Sequence, residues 1–315
     1  MGVPVYLFTG FLESGKTTII KDTLLDADFN TGEKTALFVC EEGEEEYDQN
    51  FLKQTNTILI EVDSLEDLNY PLMRKVACEH EVDRVMIEFN GMWSVTQFLD
   101  EVEFPMDWLL VQILSSVDAS SFQVYINNMR SLMYEQLRHS EMILINRCDE
   151  NCDKLYYRNN IKAFNKIAQI VYEDLNGQMS QITSDDLAFD LSSNEIEIDD
   201  DDYGLWYMDM MEFPEKYAEK YVTIKAKVIT NAVKDIPRSM IVGRHAMVCC
   251  GDDLELLGLL VHYSKASNYI KDDWVKIRAL VALEYDSEHE RNVAILYAKE
   301  VKLVDEMEDG LVYYN

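Results

Sequence analysis

Basic residues are scarce in this chain: 28 Lys and Arg stand against 59 Asp and Glu in 315 residues, a formal net charge of −31. A surface this negative repels DNA, RNA and anionic lipid headgroups, so charge argues against a nucleic-acid partner and a membrane-surface role. Cationic partners, metal ions included, fit it. Cysteine is also sparse. Six thiols, at Cys40, Cys78, Cys148, Cys152, Cys249 and Cys250, are irregularly spaced, which reads as reduced cysteines of a cytoplasmic protein and not as a disulfide framework. No apolar run approaches the roughly 20 residues that a spanning helix needs. The longest, around Trp108–Leu114 and Leu256–Val261, are strand-sized, so no direct membrane insertion is expected. The first residues carry neither a basic segment nor a cleavage-site pattern, and no secretory leader is expected either. Hydrophobic residues are plentiful at 48%, with 11% aromatics. That suffices for a real core, in one large domain or two ordinary ones.

The first half alternates short apolar runs with amphipathic segments, the pattern of βα units around a parallel sheet. Strands are expected at Val3–Thr9, Lys34–Cys40, Thr57–Glu61, Arg84–Glu88, Leu109–Val117 and Met142–Asn146, with helices starting near Lys16, Leu65, Val95, Ser121 and Lys154. Continuous apolar runs such as Val85-Met86-Ile87 suit strands covered on both faces. Residues 184–218 are rich in acids, among them Asp199 to Asp202, and read as an acidic linker or exposed arm. Beyond them, Tyr221–Ile229, Ser239–Cys250, Leu256–Tyr263, Trp274–Tyr285 and Val293–Leu303 read as five strands, which suggests a small OB-like barrel. The expected fold is thus an α/β P-loop NTPase domain with a mostly parallel sheet (1–183), the linker, and an all-β barrel (219–315).

Gly10-Phe11-Leu12-Glu13-Ser14-Gly15-Lys16-Thr17-Thr18 fits G-x-x-x-x-G-K-[ST] between an apolar strand and a helical stretch. Gly10 and Gly15 let the backbone turn its N–H groups toward phosphates, and the helix N-terminus adds its positive end. Lys16 reaches the β- and γ-phosphates, and the Thr17 hydroxyl holds Mg²⁺. The run Arg84–Gly91 is a strand ending in Glu88, with Gly91 three residues on. A carboxylate there holds Mg²⁺ through water or orients the attacking water, and the Gly91 N–H meets the γ-phosphate. Met142–Asp149 is a strand ending Asn146-Arg147-Cys148-Asp149. An acid at Asp149 accepts both N1–H and the exocyclic amine of guanine, a donor pair that adenine lacks. Arg147, where Lys is usual, stacks along the base.

These segments together resemble the CobW-like P-loop GTPases of metal delivery and homeostasis over residues 1–180. The family's GFLGSGKTT corresponds to Gly10–Thr18, its N-E-x-G-x-x-x-x-D to Cys40–Asp48, and its E-x-x-G to Glu88–Gly91. Its V-D-A corresponds to Val117-Asp118-Ala119, its Q…N-K-x-D to Gln136 and Asn146–Asp149, and its N-P-x-A-x-I to Asn165–Ile170. The resemblance implies Glu41 and Asp48 as candidates for Mg²⁺ coordination, beside Thr17 and Glu88, or for coupling metal to nucleotide. The family's C-x-C-C motif is absent, because Ile58–Leu65 contains no cysteine, so soft ligation of Zn²⁺ is missing there. Residues 219–305 resemble the C-terminal region of the YcgQ-like proteins, through Arg244, Met247, Cys249, Cys250, Asp253 and Trp274. Adjacent strand cysteines point to opposite faces, so Cys249 and Cys250 do not readily chelate one ion. A site joining one of them with His245 or Asp252 is the minor alternative.

The function expected is GTP binding with slow Mg²⁺-dependent hydrolysis, with Lys16, Glu88 and Asp48 catalytic. The nucleotide would be held by Gly10, Glu13, Ser14, Gly15, Lys16, Thr17, Thr18, Gly91, Asn146, Arg147 and Asp149. The alternative is a nucleotide-gated binding module with little turnover that docks a permease or metal-client protein. No arginine finger is assigned, and a homodimer paired across the nucleotide is one source of it.

Overall fold

The computed structural model describes residues 2–182, 187, 189–234, 236–247, 254–286, 290–307 and 310–312. They group into two compact units: Met1–Lys154 with Phe164–Gln181, and Leu155–Ala163 with Ile182–Asn315.

The first unit holds β1 (Val3–Thr9), α1 (Lys16–Leu25), β2 (Thr35–Val39), α2 (Gln49–Gln54), β3 (Thr57–Glu61), α3 (Tyr70–His80), β4 (Arg84–Glu88) and α4 (Val95–Glu101). They are followed by β5 (Trp108–Asp118), α5 (Ala119–Asn128), α6 (Arg130–Leu137), β6 (Met142–Cys148), then, after α7 (Lys154–Lys162), β7 (Gln169–Asp174) and β8 (Met179–Ser180). The eight strands form one sheet in the order β3-β2-β4-β1-β5-β6-β7-β8. The pairings among β1 to β7 are parallel, and β8 turns back antiparallel on β7. The expected α/β architecture is therefore present.

Strand alternation divides the core between the two faces of the sheet. Val5, Leu7, Phe38, Val85 and Ile87 meet Met73, Val76, Val95 and Phe98 of α3 and α4 on one face. Phe8, Leu37 and Met86 meet Ile20, Leu24 and Leu52 of α1 and α2 on the other. Parallel strands send their carboxyl ends to one edge, and ligands of such sheets bind there.

Two expected boundaries shift for local reasons. α3 begins at Tyr70 and not near Leu65, because Asn69 caps it by accepting from Leu72 N–H (3.1 Å) and Pro71 suits the first turn. α2, absent from the sequence reading, starts where Asp48 caps it.

The second unit corrects the expectation for residues 184–218. Among the described residues of that stretch, β9 (Glu195–Glu197) pairs in parallel with β10 (Tyr221–Thr230), and α8 (Tyr203–Glu212) buries Tyr203, Trp206 and Met210. The acids there are paired and not merely solvated: Asp200 with Arg244 and Lys225, Glu195 with Arg278, Glu197 with Lys276. The acid run masked an aromatic-rich helix. After β10 come β11 (Ser239–Met247), β12 (Leu254–His262), β13 (Trp274–Asp286), β14 (Arg291–Leu303) and the short β15 (Leu311–Val312). Pairings run β10-β11-β12-β14-β13 and return to β10, with β12 and β14 parallel, so five strands close on themselves. Inside, Arg244 donates to the carbonyl oxygens of Lys225 (2.9 Å) and Asp200 (3.1 Å), and its guanidinium lies 4.6 Å from the Tyr203 ring. Among the described residues, no helix is long and apolar enough to cross a membrane.

Phe38 is fully buried between β2 and its neighbours. Phe38→Ala is expected to destabilise the protein by about 3–5 kcal/mol, read as a lowered urea midpoint at unchanged slope.

Candidate functional site

The loop between β1 and α1 reverses at backbone angles that the sequence provides for. Gly10 has φ +123°, and a Cβ there would sit 2.2 Å from the Ser116 carbonyl oxygen, so no other residue fits. Glu13 takes φ +60°, a left-handed conformation uncommon outside glycine. The loop is fixed from several sides. Gly10 N–H donates to Gln136 Oε1 (3.1 Å), and the Ser14 and Ser116 hydroxyls share a hydrogen bond (2.7 Å). Asn146 Nδ2 donates to the Ser14 carbonyl (2.6 Å).

Lys16 folds back over this loop. Its Nζ donates to the carbonyls of Gly10 and Phe11, 2.8 Å each, and forms an ion pair with Glu41. The other Glu41 oxygen accepts from Gly91 N–H at 3.0 Å. Gly91 itself leaves no room for a side chain, since a Cβ would lie 2.7 Å from Gly10 O and from Phe11 Cα. The strand-end carboxylate of Glu88 is buried and shared: Thr17 Oγ1 donates to Oε1 and Tyr47 OH to Oε2, both at 2.6 Å. Burial raises the Glu88 carboxyl above its ordinary 4.5, against the lowering pull of those two hydrogen bonds and of Lys16. Burial likewise raises the Tyr47 hydroxyl, with the Glu88 charge adding to it.

Gly10, Glu13, Ser14, Gly15, Lys16, Thr17, Glu41, Glu88, Gly91, Asn146 and Arg147 thus come together around one end of the sheet. Of these, Glu13, Gly15, Lys16, Thr17, Glu41, Glu88 and Arg147 line a cavity of about 150 Å³. Glu13 bridges two sides of it, its carboxylate accepting from Glu44 N–H (2.8 Å) and its carbonyl from Arg147 Nη1 (3.0 Å). Arg147 also pairs with Asp118. Burial pushes the Asp118 carboxyl up, but Ser120 and Arg147 outweigh it and leave that carboxyl below its usual range. Thr18 is exposed on the first turn of α1, its hydroxyl 3.5 Å from Glu45.

Two predicted residues are engaged elsewhere. Asp48 is exposed and accepts from Asn50 and Phe51 N–H (2.7 and 3.0 Å), the hydrogen bonds that keep its carboxyl low. Asp149 is exposed and accepts from Asn151 N–H (2.9 Å). Tyr47 is the residue that sequence reasoning passed over. An aromatic inside an acidic run, directly before a helix cap, was the available signal.

Hard oxygen donors at Thr17 and Glu88 suit Mg²⁺, which takes one or two protein ligands beside substrate phosphates. Thiolates do not complete a soft site. Glu61 and Asp63 are exposed, and among the described residues no group of three or more His, Cys, Asp or Glu is arranged to hold a metal. Cys249, Cys250 and Asp252 lie outside the described residues; His245 is half-buried. Cys148 is buried, which raises its thiol.

Among solved structures, the Zn(II)-bound YjiA GTPase from E. coli is 15% identical over 94% of this chain and 89% of its own, with a TM-score of 0.42. The hydrogenase maturation factor HypB from Archaeoglobus fulgidus is 15% identical over 56% and 83%, with a TM-score of 0.37. No curated protein matches the chain significantly. Residues 169–314 match the DUF1980 C-terminal domain. Residues 4–172 match the CobW/HypB/UreG nucleotide-binding domain, which is more than half of the chain; the chain belongs to the CobW/HypB/UreG family of nucleotide-binding P-loop proteins.

Proposed function

We propose that this protein binds GTP with Mg²⁺ and hydrolyses it slowly, as a metal-homeostasis GTPase. The observation that carries the reading is the hydrogen bond between Thr17 on α1 and Glu88 at the end of β4, beside a buried Lys16. Loop N–H groups from Gly10 to Thr18 would cradle the phosphates, with Lys16 and Gly91 N–H on the terminal one. Mg²⁺, held at Thr17 and Glu88, would neutralise charge on the phosphates. The pocket wall supports this cation requirement. Glu13, Glu41, Glu44, Glu45 and Glu88 line it against Lys16 and Arg147, so a bare polyanion is repelled. Glu88, held by the Tyr47 hydroxyl, is the group placed to orient the attacking water.

Base choice rests on Asn146 and Asp149, whose spacing behind β6 suits guanine. Asp149 would exchange its Asn151 partner for the base. Slow turnover follows from the arginine supply. Arg147 is the one arginine lining the pocket among the described residues, and it is tied to Asp118 and the Glu13 carbonyl. A finger supplied by a homodimer partner or a client would accelerate the step. The same feature favours the second reading, a nucleotide-gated module that docks a permease or metal-client protein with little turnover. Zn²⁺ enters as cargo only through ligands other than a C-x-C-C motif.

Lys16→Ala is expected to weaken GTP binding by more than about 100-fold, measured by titration with a fluorescent analogue in Mg²⁺ buffer. Phosphate release no faster in the wild type than in this variant would remove the enzymatic reading. Asp149→Asn is expected to erode the preference for GTP over ATP by about two orders of magnitude, scored by competition. Glu88→Gln is expected to lower kcat by at least about 100-fold with GTP still bound. Its stability effect has a defined sign. A raised carboxyl favours folding only while protonated, so that contribution is complete below 4.5 and is lost as pH rises through the raised value. Without Mg²⁺, Glu88→Gln should therefore match the wild type near pH 4.5 and melt above it at neutral pH, as followed by thermal melts across that range.

A further inference from the structure

Glu41 engages both donors that the reading above gives to a terminal phosphate. One of its oxygens pairs with the Lys16 ammonium and the other accepts from Gly91 N–H at 3.0 Å. The pair is secluded, with side-chain exposures of 2% for Lys16 and 9% for Glu41. A carboxylate offers two oxygens to two donors, as two oxygens of a phosphoryl group would.

The carboxylate is delivered by a tethered segment. Just before it, Cys40 N–H donates to the Glu88 carbonyl (2.9 Å) where β2 ends. Just after it, Glu44 N–H is held by Glu13 (2.8 Å) and Tyr47 OH by Glu88 (2.6 Å). With both flanks fixed, Glu41 meets its donors at a high effective concentration and with little further ordering.

We propose that Glu41 is a specificity residue that competes with the γ-phosphate for Lys16 and Gly91, and so sets the preference of this site between nucleoside diphosphate and triphosphate. This rests on the nucleotide reading. A diphosphate uses the loop N–H groups and draws on Lys16 with its β-phosphate, but it leaves the Glu41–Gly91 contact in place. A triphosphate must displace the carboxylate, since two anions cannot share one ammonium and one N–H at this separation. The displaced residue begins the 41–48 segment, whose far end holds Glu88 through Tyr47. Arrival of the third phosphate is thereby converted into movement of that segment. Mg²⁺ at Thr17 and Glu88 assists by lowering the net negative charge that the incoming phosphate meets.

The test is Glu41→Gln, which keeps shape and hydrogen-bonding reach and removes the charge. Titrations of the full chain with a non-hydrolysable GTP analogue and with GDP, both in Mg²⁺ buffer, should show the analogue bound roughly tenfold tighter than by the wild type and GDP tightened by no more than about threefold. Equal shifts for the two nucleotides, or none, would overturn the proposal. So would selective loss of the triphosphate, the sign expected if Glu41 is a Mg²⁺ ligand. Glu41→Asp, which keeps the charge but is one methylene too short to span both donors, should shift the ratio in the same direction and carries the test if the Gln variant does not fold. Binding of both nucleotides without the shift removes only the competition. Binding of neither by the wild type removes the nucleotide reading with it.

Discussion

A buried ammonium governs this structure. Lys16 is nearly inaccessible, and a charge taken out of water is tolerated only when it is paired and hydrogen-bonded. The chain meets that demand with two loop carbonyls and one carboxylate, and each of these groups comes from a different constraint. The carbonyls of Gly10 and Phe11 face inward because Gly10 adopts an angle closed to other residues. The carboxylate arrives because β2 lies beside β4 in the sheet and ends at the same edge. Removing the parallel register would separate Glu41 from Lys16 even if both residues were kept.

Much of this was legible in the sequence, for one reason. Parallel strands buried on both faces leave continuous apolar runs, as β4 does at Arg84–Glu88, and even the half-buried edge strand β3 keeps the apolar run Ile58–Ile60, so β1, β3 and β4 are legible to the residue as Val3–Thr9, Thr57–Glu61 and Arg84–Glu88. The phosphate loop was legible because its glycines are required by backbone geometry, which spacing records. Polar side chains that act through tertiary contacts leave no such record. Glu41 reads as one acid in a run of acids, and only the fold brings it to Gly91, 50 residues away. Asp48 satisfies a spacing pattern, yet two N–H groups of α2 lie closer to it than the pocket does, and local capping takes the carboxylate. Tyr47 carries only the weak signal of an aromatic in an acidic run, and its role comes from the fold, because its partner Glu88 is 41 residues distant.

The linker expectation for residues 184–218 failed through the same asymmetry. Net charge is read from every side chain equally, whereas a core is built by a few. Trp206 and Tyr203 decide the fate of α8, although Asp199 to Asp202 directly precede it. Asp200 is spent on Arg244 and Lys225, and Asp209, buried within α8, on Tyr217 and Lys216. Acidic composition therefore marks where cations of the same unit are to be found, as much as where solvent is.

The acidity of the chain also bears on how its pocket handles an anion. Five glutamates line a cavity in which the cations are Lys16 and Arg147 among the described residues. Such a wall weakens binding of any polyphosphate, and an isolated tight site would not be built this way. It suits a site whose occupancy is to depend on cation supply, because each carboxylate makes the bound state more sensitive to the metal that neutralises it. Glu88 sets the sign of that dependence. Its burial disfavours the charged form, so in the proposed reading a divalent ion beside it would favour the ionised carboxylate. On the proposed reading, nucleotide binding, cation binding and the protonation of one acid would be linked in a single equilibrium, and the Tyr47–Glu88 hydrogen bond would make the 41–48 segment party to it.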